Sequence, residues 1–257
     1  MKRRDFLKLS LGGAAAFALS NGVYAFLAPE RGLAAARATR WVFLVDTYRC
    51  IGCGFCVKAC KTENDVPYDA NVSRTWVERY VITRDRRVFA DTPKEGREGY
   101  KTTRVDLGRG RFQDIKKEEI EKAFFVPKLC NQCEQPPCVQ VCPVGATYQT
   151  AEGVTLVDRQ WCIGCGYCIE ACPYGVRFFH PVYRVVDKCN FCYHRLAKGL
   201  KPACVQACPQ GARKIGNIRD PRDPVAKIIL SQRVEVLKSE FGTKPQDYYI
   251  GLSEEVR

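Results

Sequence analysis

A chain of 257 residues, 46% of them hydrophobic and 27% charged, has the make-up of an ordinary globular protein, which excludes a disordered or fibrous chain. Its 16 cysteines and its formal net charge of +13 stand apart from that average. The charge alone does not point to nucleic acid, because beyond Arg84-Asp85-Arg86-Arg87 no segment interleaves aromatics with clustered Lys and Arg.

In chain order, residues 1–38 read first as an export signal. Met1-Lys2-Arg3-Arg4-Asp5-Phe6-Leu7-Lys8, followed by a small-residue apolar stretch over 9–28, resembles a twin-arginine signal, with Lys2 where Ser or Thr is commoner. Small-x-small patterns place cleavage after Ala36 or after Ala38. A retained spanning helix is the alternative, weakened by Ser20, Asn21 and the glycines. No second apolar segment of that length follows, so membrane attachment of the mature body must come through a partner. The twin-arginine route carries folded cargo, which protects metal-bound thiolates that an oxidising compartment would otherwise pair.

Trp41 to Asp46 reads as a strand leading into a first cysteine run, Cys50, Cys53, Cys56, Cys60. Residues 61–129 form a long insertion, in which Arg74 to Phe89 alternates like a strand and Lys116 to Phe125 is predicted helical. A second run, Cys130, Cys133, Cys138, Cys142, precedes a hairpin predicted from Ala146 to Val157, turning near Glu152-Gly153. Cys162, Cys165, Cys168, Cys172 and then Cys189, Cys192, Cys204, Cys208 complete the runs. Asp223 to Lys238 is predicted to be a closing helix, and Pro245 to Leu252 an extended tail on the body.

No cysteine is left over from these four groups of four. Runs one and three follow C-x2-C-x2-C-x3-C, the ferredoxin spacing; runs two and four stretch it to C-x2-C-x4-C-x3-C and C-x2-C-x11-C-x3-C. Two-residue steps keep the chain curled around one cluster, and Gly52, Gly54, Gly164 and Gly166 permit turns that aim N–H groups at sulfur. The x3 step is one helical turn that carries the fourth cysteine to the neighbouring cluster. Pro143, Pro173 and Pro209 then end that turn, whereas Lys61 follows run one. The segment 49–60 repeats as 161–172, as in a duplicated two-cluster ferredoxin. A structural zinc has no use for the third closely spaced cysteine, and cysteines three residues apart bridge poorly as disulfides. Without residues 1–38 the formal charge is +9; sixteen thiolates around four oxidised cores contribute −8 and leave about +1.

Cys130-Asn131-Gln132-Cys133-Glu134-Gln135-Pro136-Pro137-Cys138, Ala171-Cys172-Pro173-Tyr174-Gly175 and Asp187-Lys188-Cys189-Asn190-Phe191-Cys192 with Pro202-Ala203-Cys204 resemble the four-cluster electron-transfer subunits of respiratory complexes, over residues 41 to about 250. These are the iron-sulfur subunits of the dimethyl sulfoxide, polysulfide and tetrathionate reductase and formate dehydrogenase family. The resemblance implies an α+β fold of two bacterial-ferredoxin-like two-cluster modules with a β-rich insertion. It pairs run one with run four and run two with run three, which spacing alone leaves open. Carried over, Cys50, Cys53, Cys56 and Cys208 bind one [4Fe–4S] cluster, and Cys60, Cys189, Cys192 and Cys204 a second. Cys130, Cys133, Cys138 and Cys172 bind a third, and Cys142, Cys162, Cys165 and Cys168 the fourth. The implied organisation is a signal over 1–38, one module from 39–66 and 180–222, an insertion over 67–126, the other module over 127–179, and a helix and tail over 223–257.

With only His180 and His194, the chain lacks an acid/base or nucleophile constellation, so it is expected to be no enzyme but the electron-transfer subunit of one. His194 either tunes a neighbouring cluster or is a satisfied surface histidine, while Trp161 and Phe191 are expected to keep water off the clusters. The resemblance implies a periplasmic relay in anaerobic respiration, between a quinone-reactive integral membrane subunit and a catalytic partner, either a molybdopterin enzyme or a multihaem cytochrome. A free soluble polyferredoxin shuttle is the alternative.

Overall fold

The computed structural model describes residues 38–256. Apart from Ala38, the expected export signal lies outside the described residues. The chain runs β1 (Trp41–Asp46), α1 (Phe55–Glu63), β2 (Thr75–Thr83), β3 (Val88–Asp91), β4 (Arg104–Asp106), β5 (Phe112–Asp114) and β6 (Ile120–Leu129). It continues α2 (Pro137–Gln140), β7 (Thr147–Gln149), β8 (Thr155–Val157), α3 (Tyr167–Glu170), β9 (Phe178–Phe179), β10 (Val186–Asp187), α4 (Tyr193–Leu196) and α5 (Ala203–Gln206). β11 (Arg213–Asn217), α6 (Pro224–Ser231) and β12 (Asp247–Ile250) close it. Short helices and small separate sheets make the class α+β. Among the described residues no helix is long and apolar enough to cross a membrane.

β1 forms as expected and is the centre of a three-stranded sheet, antiparallel to β11 and parallel to β12. Val42, Phe43, Leu44 and Val45 are all fully buried, because both faces of this strand are covered. Phe43 and Val45 join the main core with Val57, Phe191 and Tyr249, while Val42 and Leu44 meet Val225 of α6 on the other side. At about 1.5–3 kcal/mol per side chain, these four residues are a large share of the sheet's hydrophobic stabilisation.

The x3 steps are helical. α1, α2, α3 and α5 each carry the third cysteine of a run toward the fourth. The three helices whose runs close with proline are four residues long, and α1, with Lys61 in that place, continues to Glu63. Left-handed glycines open the helices of runs one and three: Gly54 at φ 77° and Gly166 at φ 79°.

Three expectations change. Lys116 to Phe125 is not a helix: a short 3-10 turn at Lys117–Glu119 leads into β6, which pairs antiparallel with β2 from Thr75↔Leu129 onward. The helix formers there yield to cross-strand packing, with Tyr80 stacked on Phe124 at 5.2 Å. The alternating stretch from Arg74 to Phe89 is a hairpin, with β2 and β3 joined through residues 84–87. The closing helix stops at Ser231, and Glu235 bridges to Tyr249 where β-branched Val234 and Val236 favour extended chain. The hairpin of β7 and β8 forms as expected, and the tail supplies β12.

Outside the cysteine runs, one buried ion pair ties β2 to β3. Arg79 donates through Nε and Nη2 to the two carboxylate oxygens of Asp91 at 2.8 and 2.7 Å, and Asp91 also accepts from the Asp106 N–H at 2.9 Å. Asp91→Ala should leave the guanidinium buried and unpaired and lower stability by about 3–5 kcal/mol in urea unfolding. A loss below about 1 kcal/mol would mean the pair is solvated.

Candidate metal centre

All sixteen cysteines are free of disulfides, and most are built into the core instead of the surface. Local backbone turns present N–H groups to their sulfurs. Phe191 N–H donates to Cys189 Sγ at 3.4 Å and Thr147 N–H to Cys142 Sγ at 3.4 Å. Among the described residues no three Cys, His, Asp or Glu side chains converge on a single metal ion. A zinc site with Zn–S near 2.3 Å would require that convergence, whereas a cubane spreads its four thiolates over four irons.

The structure gathers the cysteines from distant runs. Cys50, Cys53 and Cys56 meet Cys208 around a small cavity that Arg213 also lines. Cys130, Cys133 and Cys138 meet Cys172 around a second small cavity, lined as well by Asn131 and Arg177. Cys60 has Cys204, Cys189 and Cys192 as its charged-state neighbours, and Asn64 Nδ2 lies 3.5 Å from Cys60 Sγ and 4.0 Å from Cys192 Sγ. Of the remaining four, Cys162 and Cys168 pack with Val186 in a cluster that also holds Cys138, Cys142 sits before β7, and Cys165 is exposed.

Burial dominates the chemistry of these thiols. It pushes Cys50 up to about 11, Cys133 to about 12 and Cys204 to about 12, and raises Cys56, Cys60, Cys138 and Cys189 too. Free thiols in these places stay protonated at neutral pH, so the thiolate form needs a cation held at the site. Cys142 goes the other way: burial opposes it, but N–H donors from Thr147, Val144 and Ala146 hold its thiol below the usual value.

Several buried polar atoms have no hydrogen-bond partner among the described residues. Arg213 Nε and Nη1, Arg177 Nη2 and the Asn131 side chain are among them, and each belongs to a residue that lines one of the two cysteine cavities. Unpaired donors beside a ring of thiols suit an anionic thiolate-ligated cluster, so the residues present fit iron-sulfur groups.

Two further placements qualify the sequence reading. His194 is half exposed and pairs through Nε2 with Glu63 at 2.7 Å, as a satisfied surface histidine does. Phe191 is buried against Phe43 at 5.4 Å, whereas Trp161 is 67% exposed. Sequence reasoning missed Asn64, Asn131, Arg177 and Arg213. For the two arginines a signal was present, since both stand five residues after the closing cysteine in Cys-Pro-x-Gly-x-Arg.

Asp247 is fully buried beside Tyr249, whose OH donates to Oδ2 at 3.0 Å. Burial raises its carboxyl from 3.8 to about 8, only partly offset by Tyr249 and by Arg213. A raised acid favours the fold most below its unfolded value, and that contribution fades from about pH 4 and is gone above about pH 8. Urea midpoints should therefore fall between pH 5.5 and 8.5, and Asp247→Asn should flatten the slope. An equal slope in both proteins would show that another group carries it.

Two matches to the family described as "4Fe-4S dicluster domain" cover residues 121–218 and 49–146. The B subunit of the Salmonella typhimurium tetrathionate reductase is 38% identical, over 98% of this chain and 89% of its own length. The corresponding tetrathionate reductase polypeptide of Archaeoglobus fulgidus is 41% identical, over 83% of each chain. The B subunit of the Mesobacillus selenatarsenatis selenate reductase is 34% identical, over 82% of this chain and 72% of its own.

Proposed function

The chain belongs to the family of iron-sulfur B subunits that includes those of tetrathionate and selenate reductases, and on that premise we propose that it relays electrons through four [4Fe–4S] clusters and does no substrate chemistry itself. The observation that carries this reading is the pair of cavities, each ringed by three cysteines of one run and the closing cysteine of another. The four ligand sets are Cys50, Cys53, Cys56 and Cys208; Cys60, Cys189, Cys192 and Cys204; Cys130, Cys133, Cys138 and Cys172; and Cys142, Cys162, Cys165 and Cys168.

When bound, each cluster takes up and gives back one electron at a time. The chain's own residues do the rest. Val57, Phe43 and Phe191 exclude water around the inner sulfurs, and N–H groups of the cysteine turns stabilise their negative charge. The exposed Cys165 places one ligand set at the surface, where a partner can approach.

Its partners are an integral membrane subunit that reacts with quinone and a catalytic subunit, either a molybdopterin enzyme or a multihaem cytochrome. Its site of action is the periplasm, reached by the twin-arginine route. Purification of the tagged chain in mild detergent from respiring cells tests this reading. It should bring down a stoichiometric membrane and catalytic partner, and Arg3→Lys with Arg4→Lys should hold the precursor in the cytoplasm. A chain that elutes alone from cells making the whole complex would support the soluble shuttle instead, and normal export of the double variant would remove the targeting claim.

A further inference from the structure

Among the described residues the buried guanidinium groups of Arg213 and Arg177 lack a counter-ion, as does buried Lys188, whose Nζ is instead held by the carbonyls of Thr155 and Cys189. Arg213 opens β11, is 1% exposed, and makes one side-chain hydrogen bond, from Nη2 to Thr75 Oγ1 at 2.8 Å. Its Nε and Nη1 have no hydrogen-bond partner among the described residues. Arg177 is 4% exposed and reaches Thr147 Oγ1 through Nη1 at 3.4 Å, and its Nη2 likewise has none. Neither arginine forms an ion pair among the described residues, whereas the equally buried Arg74 and Arg79 are bound to Asp187 and Asp91. A guanidinium taken out of water without an anion is costly, so a fold that keeps two of them has something negative beside them.

What stands beside them is sulfur from two ligand sets at once. Arg213 lines the cavity of Cys50, Cys53, Cys56 and Cys208, and its charge also bears on Cys204 of the neighbouring set. Burial alone would push the Arg213 guanidinium down, and Cys56, Cys204 and Cys50 together push it up. Arg177 lines the cavity of Cys130, Cys133, Cys138 and Cys172 and feels Cys168 of the fourth set. Asp247, a carboxyl that Arg213 influences, is itself raised to about 8 by burial, which favours its neutral form at neutral pH. The two arginines occupy equivalent places: Cys172-Pro173-Tyr174-Gly175-Val176-Arg177 and Cys208-Pro209-Gln210-Gly211-Ala212-Arg213. The same place after run two is Thr147, the hydroxyl that Arg177 holds.

Building on the four-cluster reading, we propose that Arg213 and Arg177 are the potential-setting residues of the two cluster pairs, each a fixed positive charge shared between two clusters. Adding an electron makes a cluster more negative by one charge. A buried cation beside its thiolates favours that reduced state, and so raises the midpoint potential of both members of its pair. It also orients the turn that follows the closing cysteine, through its threonine anchor.

The test is a redox titration followed by electron paramagnetic resonance, on the full anaerobically purified chain, after iron and sulfide have been counted in the native protein. Arg213→Met should lower the midpoints of two clusters, by at least tenfold in the reduced-to-oxidised ratio at fixed potential, about 59 mV for one electron. The other two should stay in place. Arg177→Met should do the reverse, and Arg213→Lys, which keeps the charge, should move its pair less than Arg213→Met. Unmoved midpoints in Arg213→Met with a full iron complement, or equal shifts in all four clusters, would overturn the proposal while leaving the cluster reading intact. Should Arg213→Met lose iron, the native chain labelled with 15N-arginine decides. Nitrogen coupling to reduced clusters supports the proposal, and its absence from every cluster rejects it. A native chain short of iron would defeat the cluster reading instead.

Discussion

Cys204→Ser is expected to remove one cluster of four, taking iron from about sixteen to about twelve per chain and deleting one signal from the reduced paramagnetic spectrum. The site is unforgiving. Cys204 is 5% exposed and lies among Cys60, Cys189 and Cys192, so the three remaining thiols lose the metal that offset their burial. Serine offers a shorter, harder ligand in a pocket that water cannot reach. Retention of all the iron, with an unchanged spectrum, would mean that Cys204 is a packed core cysteine and not a ligand.

Gly54→Val is expected to destabilise the chain by about 2–5 kcal/mol, combining about 1–2 kcal/mol for the left-handed backbone with about 1–3 kcal/mol for overpacking. At φ 77°, a Cβ on Gly54 would stand 2.4 Å from the carbonyl oxygen of Gly96 and 2.5 Å from that of Arg97, both backbone atoms that cannot rotate away. Gly166 is the matching glycine of run three and makes the control. Its Cβ would meet only the Phe179 ring, at 3.3 Å, which is half exposed and free to turn. Gly166→Val should therefore cost little beyond the backbone strain, and iron loss on mild heating should follow the same order. Equal effects at the two positions would show that backbone strain, and not the contact with residues 96–97, sets the requirement for glycine.

The elements that carry chemistry were legible because their information is local. Cysteine spacing, the glycines before α1 and α3, and the prolines after runs two, three and four each act within about one turn of chain, and the structure places helices there. The meeting of Cys208 with Cys50 was not legible from spacing, since it joins residues more than 150 positions apart through the pairing of β1 with β11. Residues 116–125 misled for a related reason. Lys116, Lys117, Glu118, Glu119 and Glu121 suit a helix, but Phe124, Phe125 and Val126 find their partners on β2. Arg177 and Arg213 were hidden by treating the basic excess as one sum. Its total offsets cluster charge, while its placement puts these two guanidinium groups, with other buried cations, where little solvent reaches.

The central claim is that each set of four sulfurs is joined to iron. Iron and acid-labile sulfide measured per polypeptide in anaerobically purified, fully reconstituted protein test it most directly. The account predicts about sixteen of each, as four cubane clusters require. Zinc in place of iron, or far fewer than sixteen irons with disulfides between the cysteines, would contradict it.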